Sequence, residues 1–148
     1  MCIRDSSLFV LSAFTNSSSD AIWEKNPANK LYPRTLVEVL LSEALEQDRI
    51  LHSPDLGGFI TFQSRGKRGL ASIDDRNVLH GEAPYRKYLS LLNAKESGVD
   101  LSSFDWILLQ KQNSLNILLA ADESWRFVGD EVTDLDLFIL YRRVTGAN

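Results

Sequence analysis

The sequence predicts an α/β fold: a small three-layer sandwich with a mostly parallel sheet and an antiparallel strand pair at its C-terminal end. Three observations lead there. Segments opened by proline, with apolar residues at helical spacing, alternate with short apolar runs of strand length. The last two such runs, WRFVGDE and DLFILYRR, flank an acidic turn and read as antiparallel neighbours. The make-up, 148 residues with 44% hydrophobic and 24% charged, is that of a chain able to bury one core without a covalent staple.

The elements follow in order. Residues 1–6, MCIRDS, carry no periodicity and resemble the adaptor-derived starts of assembled sequence data, so they are expected to be non-native. That sets aside Cys2, the only cysteine, and a lone cysteine excludes an internal disulfide or a multi-cysteine metal site. The apolar run at 8–14 is far shorter than the roughly 18–20 residues needed to span a bilayer. It reads either as a first strand or helical turn, or as the end of a transmembrane helix. Residues 16–32 are polar, contain Pro27 and form a connector. The chain therefore divides into 1–32, a foreign start with a possible membrane-helix remnant and linker, and 33–148, a single α/β domain.

Pro33 opens RTLVEVLLSEALEQ, in which Leu36, Leu40 and Ala44 recur at i+4, as do Val37, Leu41 and Leu45. RILHS, ended by Pro54, reads as a strand, and GFITFQ as a second β-leaning piece. RGKRG is a basic turn between it and LASI. Pro84 opens a helix whose Tyr85, Tyr88, Leu89 and Leu92 share one face. FDWILLQ is the strongest strand, and NSLNILLAAD a helix with an Asn/Ser cap.

Chemistry-bearing residues are few. A formal net charge of −4 and a pI near 5.1 argue against nucleic acid as a partner. Asp55, Gly57 and Gly58 follow a strand, where backbone N–H groups can approach a phosphate. The stretch lacks both the dinucleotide glycine spacing and the phosphate-loop lysine, and a tight turn explains the glycines equally well. Asp74, Asp75 and Arg76 stand at an expected strand end, where open α/β sheets hold ligands. Two carboxylates suit a hard cation and a guanidinium suits a phosphate or carboxylate, yet consecutive strand residues point to opposite faces. A capped turn with a structural ion pair is the competing reading. His52 and His80 lack metal-ligand spacing, and no G-x-S-x-G elbow supports a hydrolase triad. Trp23, Trp106 and Trp125 can stack on a sugar, but core packing is the simpler role. The turn at 65–68 can meet anionic headgroups, or be merely solvated.

Taken in order, YPRTLVEVLL, LGGFITF, SIDDRNVLHGEAPYRKYLSLL, FDWILLQ, WRFV and LFILYRR resemble the C-terminal extramembrane domain of bacterial polytopic GT-C-type glycosyltransferases. These are the dolichyl-phosphate-mannose-mannosyltransferase-like membrane proteins, related to the RgtA/B/C/D-like enzymes of lipopolysaccharide core assembly. The likeness spans residues 32–144 and favours the membrane-tail reading of 8–14. Asp75 stands where the family usually has glycine and His80 where it often has tyrosine. Aspartate tolerates a left-handed turn, so the fold accommodates the first change.

The resemblance implies a non-catalytic accessory domain on the extracytoplasmic face of the bacterial inner membrane. It would partner the transmembrane part of the same protein, which takes its sugar from a polyprenyl-phosphate donor, and would meet an acceptor glycan or lipid-linked sugar. No cofactor or metal is implied. Asp55, Gly57, Gly58, Asp74, Asp75 and Arg76 would form a polar rim facing the membrane domain or the glycan. Two alternatives stay open: a free-standing α/β small-molecule enzyme using Asp74 or Asp75 as base or metal ligand, and a non-catalytic interaction module.

Overall fold

The computed structural model describes residues 30–65, 81–93 and 99–144. Its elements run α1 (Arg34–Glu43), β1 (Ile50–His52), a 3-10 turn (Pro54–Leu56), α2 (Gly57–Gln63), α3 (Glu82–Leu92), β2 (Trp106–Gln110), α4 (Leu115–Ala121), β3 (Trp125–Val132) and β4 (Leu137–Arg143). The expected residues 1–6 start, the run at 8–14, Trp23, LASI, the Asp74–Asp75–Arg76 loop and His80 lie outside the described residues.

The four strands form one sheet in the order β1-β2-β4-β3. Among the described strands, β1 and β2 run parallel, while β2–β4 and β4–β3 are antiparallel. The expectation of a mostly parallel sheet is thus corrected. The reason lies in the hairpin: β4 folds back from β3 and inserts against β2, so one element makes two antiparallel pairings. The α/β class and the C-terminal antiparallel pair both hold.

Helices cover both faces because the central strands are apolar on both. Along β2, Trp106 and Leu108 join Leu36, Val37 and Leu40 of α1 and Phe59 and Ile60 of α2. Ile107 and Leu109 turn the other way, to Tyr88 and Leu92 of α3 and Leu115 and Leu119 of α4. The strand period of two thus feeds two cores from one strand, which is why FDWILLQ reads as a continuous hydrophobic run. Helix α1 ends at Glu43, so its apolar face is narrower than the sequence suggests: Ala44 is buried, but Leu45 is 57% exposed.

GFITFQ is helical, not a strand. Leu56, Phe59 and Ile60 are the buried apolar side chains, at i, i+3 and i+4. Burying that trio under α1 outweighs both the β preference of Phe, Ile and Thr and the low helix propensity of two glycines.

Ends are satisfied by distant partners. Pro33 offers no side-chain cap to α1, and the Leu36 N–H donates instead to Glu131 Oε2 of β3 at 2.8 Å. An anion at a helix N-terminus meets both the orphan N–H and the helix dipole. Opposite Leu36, a bulge displaces β3 between Phe127 and Gly129. A Cβ on Gly129 would come within 3.4 Å of Leu36 Cδ2, so the glycine permits this close approach of helix and strand. Gly81 precedes α3 with φ +80° and ψ 159°, a conformation open essentially to glycine alone. At the start of α4, Asn113, one residue before the cap position, accepts the Leu115 N–H on its Oδ1 at 2.9 Å. Asn116 then donates to the Gln110 and Lys111 carbonyls, fastening α4 to the end of β2.

β1 is three residues long, and the Tyr88 hydroxyl of α3 meets its last residue. The phenol accepts the His52 N–H at 2.9 Å and donates to the His52 carbonyl at 2.7 Å. β3 carries the bulge and charged residues, which discourage pairing with another chain. Among the described residues, no helix is long and apolar enough to cross a membrane.

Candidate functional site

The strand order sends the ionic side chains to two opposite ends of the sheet. At the C-terminal ends of the parallel pair stands Asp55, in the 3-10 turn after β1. Asp136, just before β4, faces it. Partial burial of the Asp55 carboxyl is the main cause that raises its pKa above 3.8; a backbone hydrogen bond opposes this, and the Asp136 charge adds to the rise. A carboxylate whose folded-state pKa lies above its unfolded one weakens the fold once ionised, and the penalty disappears as pH falls below the unfolded value. Asp55→Asn is therefore expected to raise the thermal midpoint slightly at pH 7. That advantage should vanish below pH 3.8, where both states of the native side chain are protonated, as thermal melts across pH will show.

Gly57 and Gly58 do not form the anticipated phosphate-cradling turn. Gly57 has ordinary right-handed helical angles, φ −59° and ψ −45°, and is buried as the first residue of α2, with Gly58 exposed beside it. Of the expected polar rim, Asp55, Gly57 and Gly58 thus adjoin one another, while Asp74, Asp75 and Arg76 lie outside the described residues. His52 is a core residue with no exposed surface, its Nδ1–H donating to the Ser53 carbonyl at 2.8 Å. Among the described residues, no group of three His, Cys, Asp or Glu side chains is placed to hold a metal ion. Trp106 and Trp125 are buried in the two cores, as core packing requires.

The opposite end of the sheet is richer. A cleft of about 530 Å³ opens where β1 and β2 begin, between α3 and the segment before β2. Arg49 comes from the start of β1, Lys87 and Tyr88 from α3, and Asp100, Ser103 and Phe104 from the approach to β2. The Arg49 guanidinium lies over the Phe104 ring, 5.2 Å from its centroid, so its position is set by the ring's negative face. The Arg49 N–H donates to Asp105 Oδ2 at 2.9 Å, fixing the backbone from which the side chain leaves.

Asp100 is held below its usual pKa, chiefly by hydrogen bonds from the Ser102 side chain and backbone, then by the Arg143 and Lys87 charges. It therefore stays ionised in neutral solution. The burial of the Tyr88 phenol pushes its pKa up, with the His52 backbone bond opposing the shift, so it remains a neutral wall of the cleft. A cation seated on an aromatic ring, a second, exposed cation, an ionised carboxylate and a hydroxyl form a surface that can grip hydroxyls and an anionic group together.

The charged residues of the cleft did not stand out in the sequence. Arg49, Lys87 and Asp100 are scattered over three separate segments, and only the β1–β2 pairing with α3 across their edge assembles them. Comparison of the chain with family models, with curated proteins and with solved structures finds no match in any of the three.

Proposed function

We propose that this chain is an extracytoplasmic accessory domain of a bacterial membrane glycosyltransferase that takes its sugar from a polyprenyl-phosphate donor. On this reading the chain binds saccharide and leaves the transfer chemistry to the membrane-embedded part of the same polypeptide. It resides on the outer face of the inner membrane, and its ligand is the acceptor glycan or the lipid-linked sugar.

The observation that carries the reading is the cleft at the head of β1 and β2. Phe104 offers an apolar ring edge, Asp100 and Ser103 offer partners for sugar hydroxyls, and Arg49 and Lys87 offer charge for a phosphate or uronate. The ordered motifs support it too, since YPRTLVEVLL supplies α1, FDWILLQ supplies β2, WRFV opens β3 and LFILYRR forms β4.

The test is a titration of the chain with a short-chain polyprenyl-phosphate sugar, in mannosyl and glucosyl forms, followed by amide chemical shifts. Arg49, Lys87 and Phe104 are expected to shift together and saturably. The Arg49→Ala, Lys87→Ala double variant should weaken binding by about tenfold or more, the scale of losing charge-assisted hydrogen bonds. Absence of saturable shifts at the cleft with either sugar would remove this reading.

A further inference from the structure

We infer that Arg143, the last residue of β4, is a positioning residue for the saccharide cleft: its guanidinium clamps the turn that carries Asp100, Ser103 and Phe104, without lining the cleft itself. The ligand is the one proposed above, so that part rests on the saccharide reading. The geometry of the clamp does not.

Register sets Arg143 opposite Trp125 of β3, and the guanidinium lies over that indole, 5.0 Å from its centroid. From this seat it donates to two carbonyls, that of Leu101 and, at 2.7 Å, that of Ser102. Each of those two residues also anchors a wall of the cleft. The Leu101 carbonyl accepts the Phe104 N–H at 3.0 Å, closing the turn that presents the ring. The Ser102 N–H donates to Asp100 Oδ1 at 2.8 Å. A shift of either carbonyl therefore moves a side chain on the cleft's surface. The rigid planar fork of arginine suits this task, because it reaches two acceptors in a fixed relation.

The backbone extends the link to the third wall. The Arg143 N–H donates to the Asp105 carbonyl at 2.8 Å, and the Asp105 N–H donates to the Arg49 carbonyl at 2.9 Å. Asp105 Oδ2 accepts the Arg49 N–H in return. Arg49 then lies over Phe104. The end of β4 is thus joined to the cleft's cation through one residue and to its ring through one turn.

The neighbouring arginine supplies a matched control. Arg142 also lies over an indole, that of Trp106, at 4.9 Å, but in the core on the other face of the sheet. Its partner is Glu43 at the end of α1, 3.0 Å away. Removing either guanidinium uncovers a tryptophan and lowers stability. Only the loss of Arg143 should disarrange the cleft.

The experiment compares Arg143→Ala, Arg143→Lys and Arg142→Ala in the full chain with two readouts. Without ligand, the shifts of the Arg49 side-chain protons report the Phe104 ring current, and hence the assembly of the cleft. With ligand, the titration uses the short-chain polyprenyl-phosphate mannose and glucose. Arg143→Ala should lose the ring-current displacement at Arg49 and weaken binding about tenfold, the scale of losing charge-assisted hydrogen bonds. Arg143→Lys keeps the stem over Trp125 and a charge but not the fork, so it should retain part of both, and it carries the comparison if the alanine variant fails to fold. Arg142→Ala should lower the thermal midpoint while leaving both readouts as in the unsubstituted chain. An unchanged Arg49 displacement in Arg143→Ala, undiminished binding by that variant, or an equal disturbance in Arg142→Ala overturns the inference. If the unsubstituted chain binds neither sugar while Arg143→Ala still loses the Arg49 displacement, the clamp stands and the saccharide reading falls.

Discussion

Trp106→Ala is expected to cost about 3–5 kcal/mol of unfolding free energy, the usual range for emptying a buried tryptophan site. The ring is wholly buried on a central strand, against α1 and α2. Its Nε1–H donates to Asp48 Oδ2 at 2.9 Å, and the same oxygen accepts the Leu45 N–H at 3.0 Å. The indole therefore ties the loop after α1 to β2 and also supports the Arg142 guanidinium. Trp106→Phe separates the contributions: it keeps most of the volume and loses the hydrogen bond, so a loss of about 1–2 kcal/mol is expected. Urea unfolding measures both variants, and an unchanged slope would place the change in stability rather than in the unfolded state. A loss below about 1 kcal/mol for the alanine variant would contradict this packing.

The second large effect is expected from removing one oxygen atom. Tyr88→Phe leaves the ring in the α3 core but removes the hydroxyl that bonds both the His52 N–H and the His52 carbonyl. Losing the two hydrogen bonds of that hydroxyl should cost about 1–3 kcal/mol. The local readout is hydrogen exchange: the His52 amide should lose protection while the Ile107 and Leu109 amides of β2 keep theirs. A pH dependence accompanies it. The folded-state pKa of Tyr88 lies above the ordinary 10.0, so the unfolded chain releases that proton first and stability falls as pH rises beyond 10. Tyr88→Phe should abolish that residue's share of the alkaline decline. Tyr141, whose pKa burial also raises, retains its own share.

How much of this was legible in the sequence depends on the range of the interaction. Segments with a strong local period, such as that of α1 or the run of β2, declare themselves because one face or both must be buried. The helical nature of GFITFQ was masked, since Phe59 and Ile60 favour strands locally and only tertiary burial beside α1 reverses the balance. Parallel against antiparallel pairing was illegible for a different reason. Nothing local to LFILYRR says that it lies between β2 and β3, and its position decides the sheet.

The site follows the same logic. Asp55 was recognisable by its place after a strand, but its neighbour Asp136 is 81 positions later in the chain and is brought near only by the hairpin. The arginines ending the final strand were visible in the sequence. That Arg142 stands opposite Arg126 and Arg143 opposite Trp125, at the same end of the sheet as Arg49, follows from register alone.

The proposed role is to assist sugar transfer by holding saccharide at the Arg49–Lys87 cleft, without taking part in the chemistry. Its most direct test is sugar transfer from a polyprenyl-phosphate donor, in membranes containing the parent transferase with Arg49→Ala and Lys87→Ala in this domain. The account expects kcat/KM for the ligand held in the cleft to fall about tenfold through KM, with kcat nearly unchanged, the mark of lost binding rather than lost transition-state stabilisation. Unchanged kcat/KM for both acceptor and donor, or a fall carried wholly by kcat, would contradict it.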